Sequence, residues 1–222
     1  MTATLTASGL ISRARTQMLF KSPFFAFLAL NLEVVENKEM QTCATDGRHL
    51  FYNPDFVQQS FDKNKDSVYG LILHEVMHAA LGHIWRKGTR NSMIWNIACD
   101  YAVNWIVTQN GFVIPENGLL DGKWADMSSE QIYSELCKHA QSDNNGIGDG
   151  SGDGSGDGSS DKESKEGTEE QKWGSHEKWG KESQSPAEQK EMENKWKQIL
   201  SQAVQNAKAR GNMPLGMERT EI

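Results

Sequence analysis

Residues 68–83 decide the fold, and they read Val68-Tyr69-Gly70-Leu71-Ile72-Leu73-His74-Glu75-Val76-Met77-His78-Ala79-Ala80-Leu81-Gly82-His83. The apolar residues are nearly continuous, which predicts a buried helix that stops near Gly82. Within it, His74, Glu75 and His78 form the pattern H-E-x-x-H. Residues four apart lie one turn apart on the same helix face, so both imidazoles can reach one metal ion. Glu75 lies about 100° around the helix from His74, beside that metal.

A zinc ion that catalyses hydrolysis has three protein ligands and one position for water, so a third ligand must exist. His83 is the nearest candidate. It follows His74 by nine residues, which places it on the opposite face of an unbroken helix. It reaches the metal only if the chain turns sharply at Gly82.

Asp100 is the second candidate for the third ligand. Residues 92–107 predict another buried helix, because they are apolar on nearly every side. Their polar residues Asn96, Asp100 and Asn104 lie in one line, each four apart. A buried aspartate requires a cation or a set of donors, and the two asparagines could orient it. The ligands that we predict are His74, His78 and Asp100, with zinc as the metal.

Two other interpretations of these helices stay open. The histidines of the first helix could be hydrogen-bonded core residues that bind no metal. Asp100 could form a buried salt bridge with Arg86 or Arg90 instead of binding an ion.

The second helix is one of several segments that carry a family resemblance. These segments are Ala44-Thr45-Asp46-Gly47, Leu50-Phe51-Tyr52-Asn53-Pro54, residues 74–86, Asn96-Ile97-Ala98-Cys99-Asp100-Tyr101-Ala102-Val103-Asn104 and Ile132-Tyr133. Together, residues 42–133 resemble the metallopeptidase-like domain of bacteria and their phages, which is often encoded with a von Willebrand A-type domain. The resemblance implies a zincin-like fold, a zinc-dependent peptidase, a protein or peptide substrate and a von Willebrand A-type or other protein partner.

The expected fold class is α+β: zincin-like and mostly helical, with a small β-hairpin or sheet beside the metal helix. We expect one or two helices over residues 8–36 and a hairpin over 39–52. The hairpin turns at Thr45-Asp46-Gly47, because Asp-Gly between strand-like runs is a strong turn signal. A short helix should follow Pro54, and another should begin at Ser128 or Ser129.

The chain divides into three predicted parts. Residues 1–140 form the metallopeptidase domain. Residues 141–172 form a flexible acidic linker, since Gly, Asp and Ser dominate this segment and cannot build a core. Residues 173–222 contain a helix over 188–210 that docks on the domain through an apolar stripe. The stripe consists of Trp196, Ile199, Leu200, Ala203, Val204 and Ala207. In the family we expect further sequence after Ile222.

Composition narrows the function classes. A net charge of −7 argues against nucleic-acid binding through a basic face. We expect no membrane span, because the apolar run over residues 23–32 is shorter than the ~20 residues that a bilayer requires. The three cysteines show no C-x-x-C spacing, and no secretory signal is evident, so we expect a cytoplasmic protein.

The sequence therefore predicts a zinc metalloendopeptidase in which Glu75 accepts a proton from the water that attacks the peptide bond. Tyr52, Tyr133 and His176 are candidates for polarising the scissile carbonyl. The alternative function is a catalytically silent, metal-stabilised module that recruits a protein partner. The intact Glu75 argues against that alternative, since a structural metal site needs no general base.

Overall fold

The computed structural model describes residues 5–116, 118–144 and 185–217. Within these ranges the helices are α1 (Ala7–Lys21), α2 (Pro23–Ala29), α3 (Pro54–Lys63), α4 (Ser67–Ala80), α5 (His83–Arg86), α6 (Ser92–Gln109), α7 (Ser129–Asn144) and α8 (Pro186–Arg210). The strands are β1 (Glu33–Glu36), β2 (Cys43–Thr45) and β3 (His49–Tyr52), and a 3-10 turn spans Gly122–Trp124. The expected α+β class, mostly helical with a small sheet, is confirmed.

Helix α4 is the centre of the molecule. All of its residues are buried, as the apolar run predicts. Helices α1, α2, α3, α6 and α8 contact it, and β2 and β3 of the sheet lie against it. Because α4 is covered on every side, its two histidines and one glutamate are held inside the protein core.

The predicted hairpin is confirmed, with a first strand that begins only at Cys43. β2 pairs antiparallel with β3, and Cys43 lies opposite Tyr52. In the turn, Asp46 Oδ1 accepts hydrogen bonds from the amides of Arg48 and His49. Gly47 has a φ of +89°, a conformation that favours glycine.

The helix expected over residues 8–36 is wrong at its C-terminal end. α2 ends at Ala29, and Glu33–Glu36 forms β1, which pairs in parallel with β3. Val34 and Val35 are β-branched and suit a strand. β3 is the middle strand of the order β1-β3-β2, so both of its edges are paired.

The C-terminal helix is present, and its apolar stripe is buried as predicted. α8 packs on α2 and α4, and all six residues of the stripe are buried. Trp196 is 2% exposed, and its indole Nε1–H donates to the carbonyl oxygen of Gly47 at 2.6 Å. α8 is therefore attached to the hairpin turn by a polar contact as well as by apolar packing.

The division into a domain, a linker and a C-terminal segment stays a prediction. Most of the predicted linker, like His176 in the third part, lies outside the described residues. No helix in the described ranges combines the length and apolar character that a membrane span requires.

We expect Trp196→Ala to lower the free energy of unfolding by about 3–5 kcal/mol, the usual cost of removing a large buried aromatic side chain. Gln198→Ala on the exposed face of α8 is the control, and it should change the stability by less than about 0.5 kcal/mol. Urea denaturation followed by circular dichroism measures both. Equal effects of the two substitutions would show that α8 does not depend on this docking.

Candidate metal centre

Helices α4 and α6 pack together and bring three side chains to one point. The Nε2 atoms of His74 and His78 lie 3.0 Å apart. Asp100 Oδ1 lies 3.2 Å from His78 Nε2 and 3.6 Å from His74 Nε2. Ligands about 2.0–2.2 Å from a tetrahedral zinc ion lie about 3.3–3.6 Å from each other. The three atoms are thus spaced as three corners of one coordination sphere, and they can hold a metal ion.

These side chains are shielded from solvent. His74, His78 and Asp100 are exposed by only 2%, 0% and 3%. Burial raises the pKa of the Asp100 carboxyl to about 7, and the nearby His74 opposes this shift in part. Without a metal ion, burial makes the Asp100 carboxyl group costly to ionise at neutral pH. A metal ion would add a positive charge that stabilises the ionised form.

The orientation of His74 is set by Asn104. His74 Nδ1 lies 2.8 Å from Asn104 Oδ1, and Asn104 Nδ2 donates to the carbonyl oxygen of Leu119 at 2.9 Å. Because the amide NH₂ of Asn104 donates to the carbonyl oxygen of Leu119, its amide oxygen faces His74 and accepts a hydrogen bond from Nδ1–H. This tautomer leaves Nε2 of His74 unprotonated and directed toward Asp100. Of the two asparagines that the sequence singled out, Asn104 orients a histidine of the set, while Asn96 is half-buried.

His83 is brought back to the site by the turn at Gly82, whose φ is +69°. It arrives behind His78: the two Nδ1 atoms lie 3.1 Å apart, on the side of the His78 ring away from Asp100. The structure therefore brings together His74, His78 and Asp100 and places His83 outside that group. The sharp turn at Gly82 that the sequence analysis considered is present, but it brings His83 to His78 and not to the metal position.

The salt-bridge alternative for Asp100 is wrong. Arg86 forms an ion pair with Glu130, and Arg90 lies over the ring of Trp95. Both arginines therefore interact with groups other than Asp100.

Glu75 is 4% exposed and follows His74 on α4. It lies near Cys43 of β2. Burial first and the nearby Glu75 carboxylate second raise the pKa of the Cys43 thiol well above its ordinary value. Cys43 is therefore a neutral thiol at physiological pH.

The two candidate tyrosines are engaged away from this group. The hydroxyl of Tyr52 donates to Glu36 at 3.3 Å, and that of Tyr133 accepts from the amide of Asn91 at 3.0 Å. In the described conformation, neither is placed to polarise a carbonyl at the metal centre.

A cavity of about 750 Å³ opens between the α4–α5 turn, α6, the start of α7 and α8. Its wall includes Ala79, one turn beyond Glu75 on α4, as well as His83 and Ser129. The remaining wall combines apolar side chains, among them Trp85 and Trp105, with charged ones such as Arg86 and Glu193. The cavity thus reaches His83, the neighbour of His78.

Comparison with protein families gives one match. The sequence profile of the family described as "Putative metallopeptidase domain" covers residues 6–220. The chain belongs to this metallopeptidase domain family. The match extends well beyond residues 42–133 and spans all three predicted parts of the chain. No curated protein and no solved structure gives a significant match. The zincin-like character of the fold therefore stays a prediction.

The raised pKa of Asp100 predicts a pH dependence of the metal-free protein. A carboxyl whose pKa is about 7 in the folded state and 3.8 otherwise favours folding at low pH. This contribution is lost as the pH rises from about 4 to about 7, which amounts to about 4 kcal/mol. We expect the metal-stripped wild type to lose that much stability relative to Asp100→Asn across this range, measured by urea denaturation at each pH. Parallel pH profiles for the two proteins would contradict this assignment.

Proposed function

We propose that this chain is a zinc-dependent metallopeptidase with His74, His78 and Asp100 as metal ligands and Glu75 as the general base. The observation that carries the proposal is the set of ligand-atom distances of 3.0, 3.2 and 3.6 Å at the meeting point of α4 and α6. Membership of the metallopeptidase domain family supports the same conclusion.

The donor set suits the proposed metal. Imidazole nitrogen and carboxylate oxygen are common zinc ligands, and three protein ligands leave a position for water, as a catalytic site requires. A bound zinc ion would lower the pKa of a water molecule toward ~7 and polarise the scissile carbonyl. The same donors also suit iron(II), so the metal itself must be measured.

The role of Glu75 follows from its place on α4. It is the residue next to His74, about 100° around the helix, so its carboxylate lies beside the histidine pair and not across from it. A carboxylate there can take a proton from the attacking water and pass it to the leaving amine. Burial strengthens the electrostatic interactions of this carboxylate.

A peptide substrate has a backbone partner in the sheet. β3 is paired on both sides, and the outer edge of β2 has no strand partner among the described residues. The three residues of β2 are buried, so a substrate strand would add to that edge by β-augmentation only after part of the covering structure is displaced. The cavity beyond Ala79, whose wall includes Trp85 and Trp105, would then receive an apolar side chain of the substrate.

One observation favours the alternative of a metal-stabilised binding module. The ligand side chains are exposed by 3% or less and Glu75 by 4%, so a substrate must displace part of the protein to reach them. In that function the metal fixes α4 against α6, and a protein partner binds elsewhere. A von Willebrand A-type domain is the partner that the family resemblance suggests.

We expect the purified chain to bind about one zinc ion per molecule. His74→Ala, His78→Ala and Asp100→Ala should each lose it, because two ligands do not hold a catalytic zinc ion. His49→Ala removes a histidine of the sheet and is the matched control, which should keep full occupancy. Plasma mass spectrometry over all first-row transition metals gives the stoichiometry and detects iron if iron is the native metal. Full occupancy in Asp100→Ala would contradict the ligand set.

We expect Glu75→Gln to keep its zinc and to lose cleavage of a pooled peptide library by at least ~100-fold, the usual contribution of a general base. Glu116→Gln at an exposed ion pair is the control and should cleave like the wild type. Mass spectrometry of the cleaved pool measures the rate and shows the sequence preference. A zinc-loaded wild type that cleaves no peptide in the pool favours the binding module.

A further inference from the structure

A second histidine and a serine continue the hydrogen-bonded chain that begins at the metal centre. His78 Nδ1 lies 3.1 Å from His83 Nδ1, and His83 Nε2 lies 2.9 Å from Ser129 Oγ. His78, His83 and Ser129 are exposed by 0%, 1% and 3%, so little of the chain is accessible to solvent. The three side chains come from α4, α5 and α7, which are separate elements of the fold.

The chemistry of these groups allows one arrangement of protons that is compatible with metal binding. A histidine binds a metal through an unprotonated nitrogen, so His78 must carry its proton on Nδ1 if Nε2 faces the metal. His78 Nδ1–H then donates a hydrogen bond to Nδ1 of His83, and this nitrogen must be unprotonated to accept it. A neutral His83 therefore carries its own proton on Nε2 and donates it to Ser129 Oγ.

The opposite arrangement is incompatible with the metal. If His83 were protonated on Nδ1, it would donate to Nδ1 of His78, and a neutral His78 would hold its proton on Nε2. That proton would point toward Asp100 and occupy the position of the metal bond. The tautomer of His83 thus decides whether His78 is able to act as a ligand.

The surrounding structure holds His83 firmly in this place. The indole Nε1–H of Trp95 donates to the carbonyl oxygen of His83 at 3.1 Å, and the two rings meet edge to face, with centroids 6.0 Å apart. Trp95 is fully buried, and the guanidinium of Arg90 covers its ring. Ser129 is also held in place, because it is buried and begins α7.

We propose that His83 is a positioning residue for the metal ligand His78, and that Ser129 supports the Nε2–H form of His83 by accepting its hydrogen bond. This inference rests on the proposed function to the extent that His78 binds a metal. Histidine ligands usually donate their second nitrogen to a carboxylate, carbonyl or water, and loss of such a partner lowers metal affinity by about 10–100-fold. Here the partner is another imidazole, which accepts a proton only in one of its two neutral forms.

A pair of substitutions at His83 separates positioning from packing. In His83→Asn, the amide oxygen takes a place close to that of Nδ1 and can accept the proton of His78. In His83→Phe, a ring of similar size fills the space and accepts nothing. We expect the zinc dissociation constant, measured by competition with a chromogenic chelator, to rise about 10–100-fold in His83→Phe and to stay within a few-fold of wild type in His83→Asn.

Ser129→Ala tests the second step without changing a large side chain. We expect a loss of zinc affinity of about fivefold, which corresponds to one hydrogen bond of ordinary strength. Ser67→Ala is the matched control, because Ser67 is also buried and its hydroxyl donates to the backbone carbonyls of Ser60 and Asn64 at the end of α3. That control should leave the zinc affinity unchanged.

The proton positions themselves are measurable. Two-bond nitrogen–proton correlation spectra of the histidine-labelled, zinc-loaded protein report which ring nitrogen carries the proton. We expect Nδ1–H for His78 and Nε2–H for His83, with a mixture of His83 tautomers in Ser129→Ala. A wild type with His83 protonated on Nδ1 overturns the proposal, whether or not His83→Phe folds.

The outcomes separate this proposal from the proposed function. A wild type that binds zinc, together with unchanged affinity in His83→Phe, refutes the positioning role and leaves the metal site intact. An equal loss of affinity in His83→Asn and His83→Phe also refutes it, since packing would then explain both. A wild type that binds no transition metal removes the metal function itself.

Discussion

The cost of placing ionisable side chains in an apolar interior is the constraint on which this structure depends. α4 is buried along its whole length, yet it carries two histidines and a glutamate, and α6 adds Asp100. A buried carboxylate without a counter-charge is unfavourable by several kcal/mol, and the raised pKa of Asp100 is the expression of that cost. A metal ion at the meeting point of the two helices would offset the cost and join α4 to α6. In the proposed function, the same ion would activate the water that hydrolyses the peptide bond.

The rest of the fold serves to hold this helix pair. Asn104 fixes the orientation of His74, and the α4–α5 turn brings His83 behind His78. β2 lies along α4 on the side of Glu75, and α8 closes the opposite end through Trp196 and the hairpin turn. Polar contacts and apolar packing therefore act on the same few side chains, so small displacements of the ligands are resisted from several directions.

Much of this arrangement could be predicted from the sequence, because its signals are local. The apolar run and the four-residue spacing on α4 indicate a metal helix, and the line of Asn96, Asp100 and Asn104 indicates a facing helix. The Asp-Gly turn and the stripe on α8 are equally local. β1 and the position of His83 could not be predicted in this way. β1 forms only because β3, thirteen or more residues later, has an edge to be paired, and His83 reaches His78 only through the backbone angle at Gly82.

The most direct test of the account is the coordination sphere of the bound metal. A crystal structure of the zinc-loaded protein, with anomalous diffraction recorded at the zinc edge, would show which atoms surround the ion. The account predicts Nε2 of His74, Nε2 of His78 and one carboxylate oxygen of Asp100, at about 2.0–2.2 Å, with a water molecule in the fourth position. An ion bound by His83 in place of Asp100, or one enclosed by four protein ligands, would contradict it.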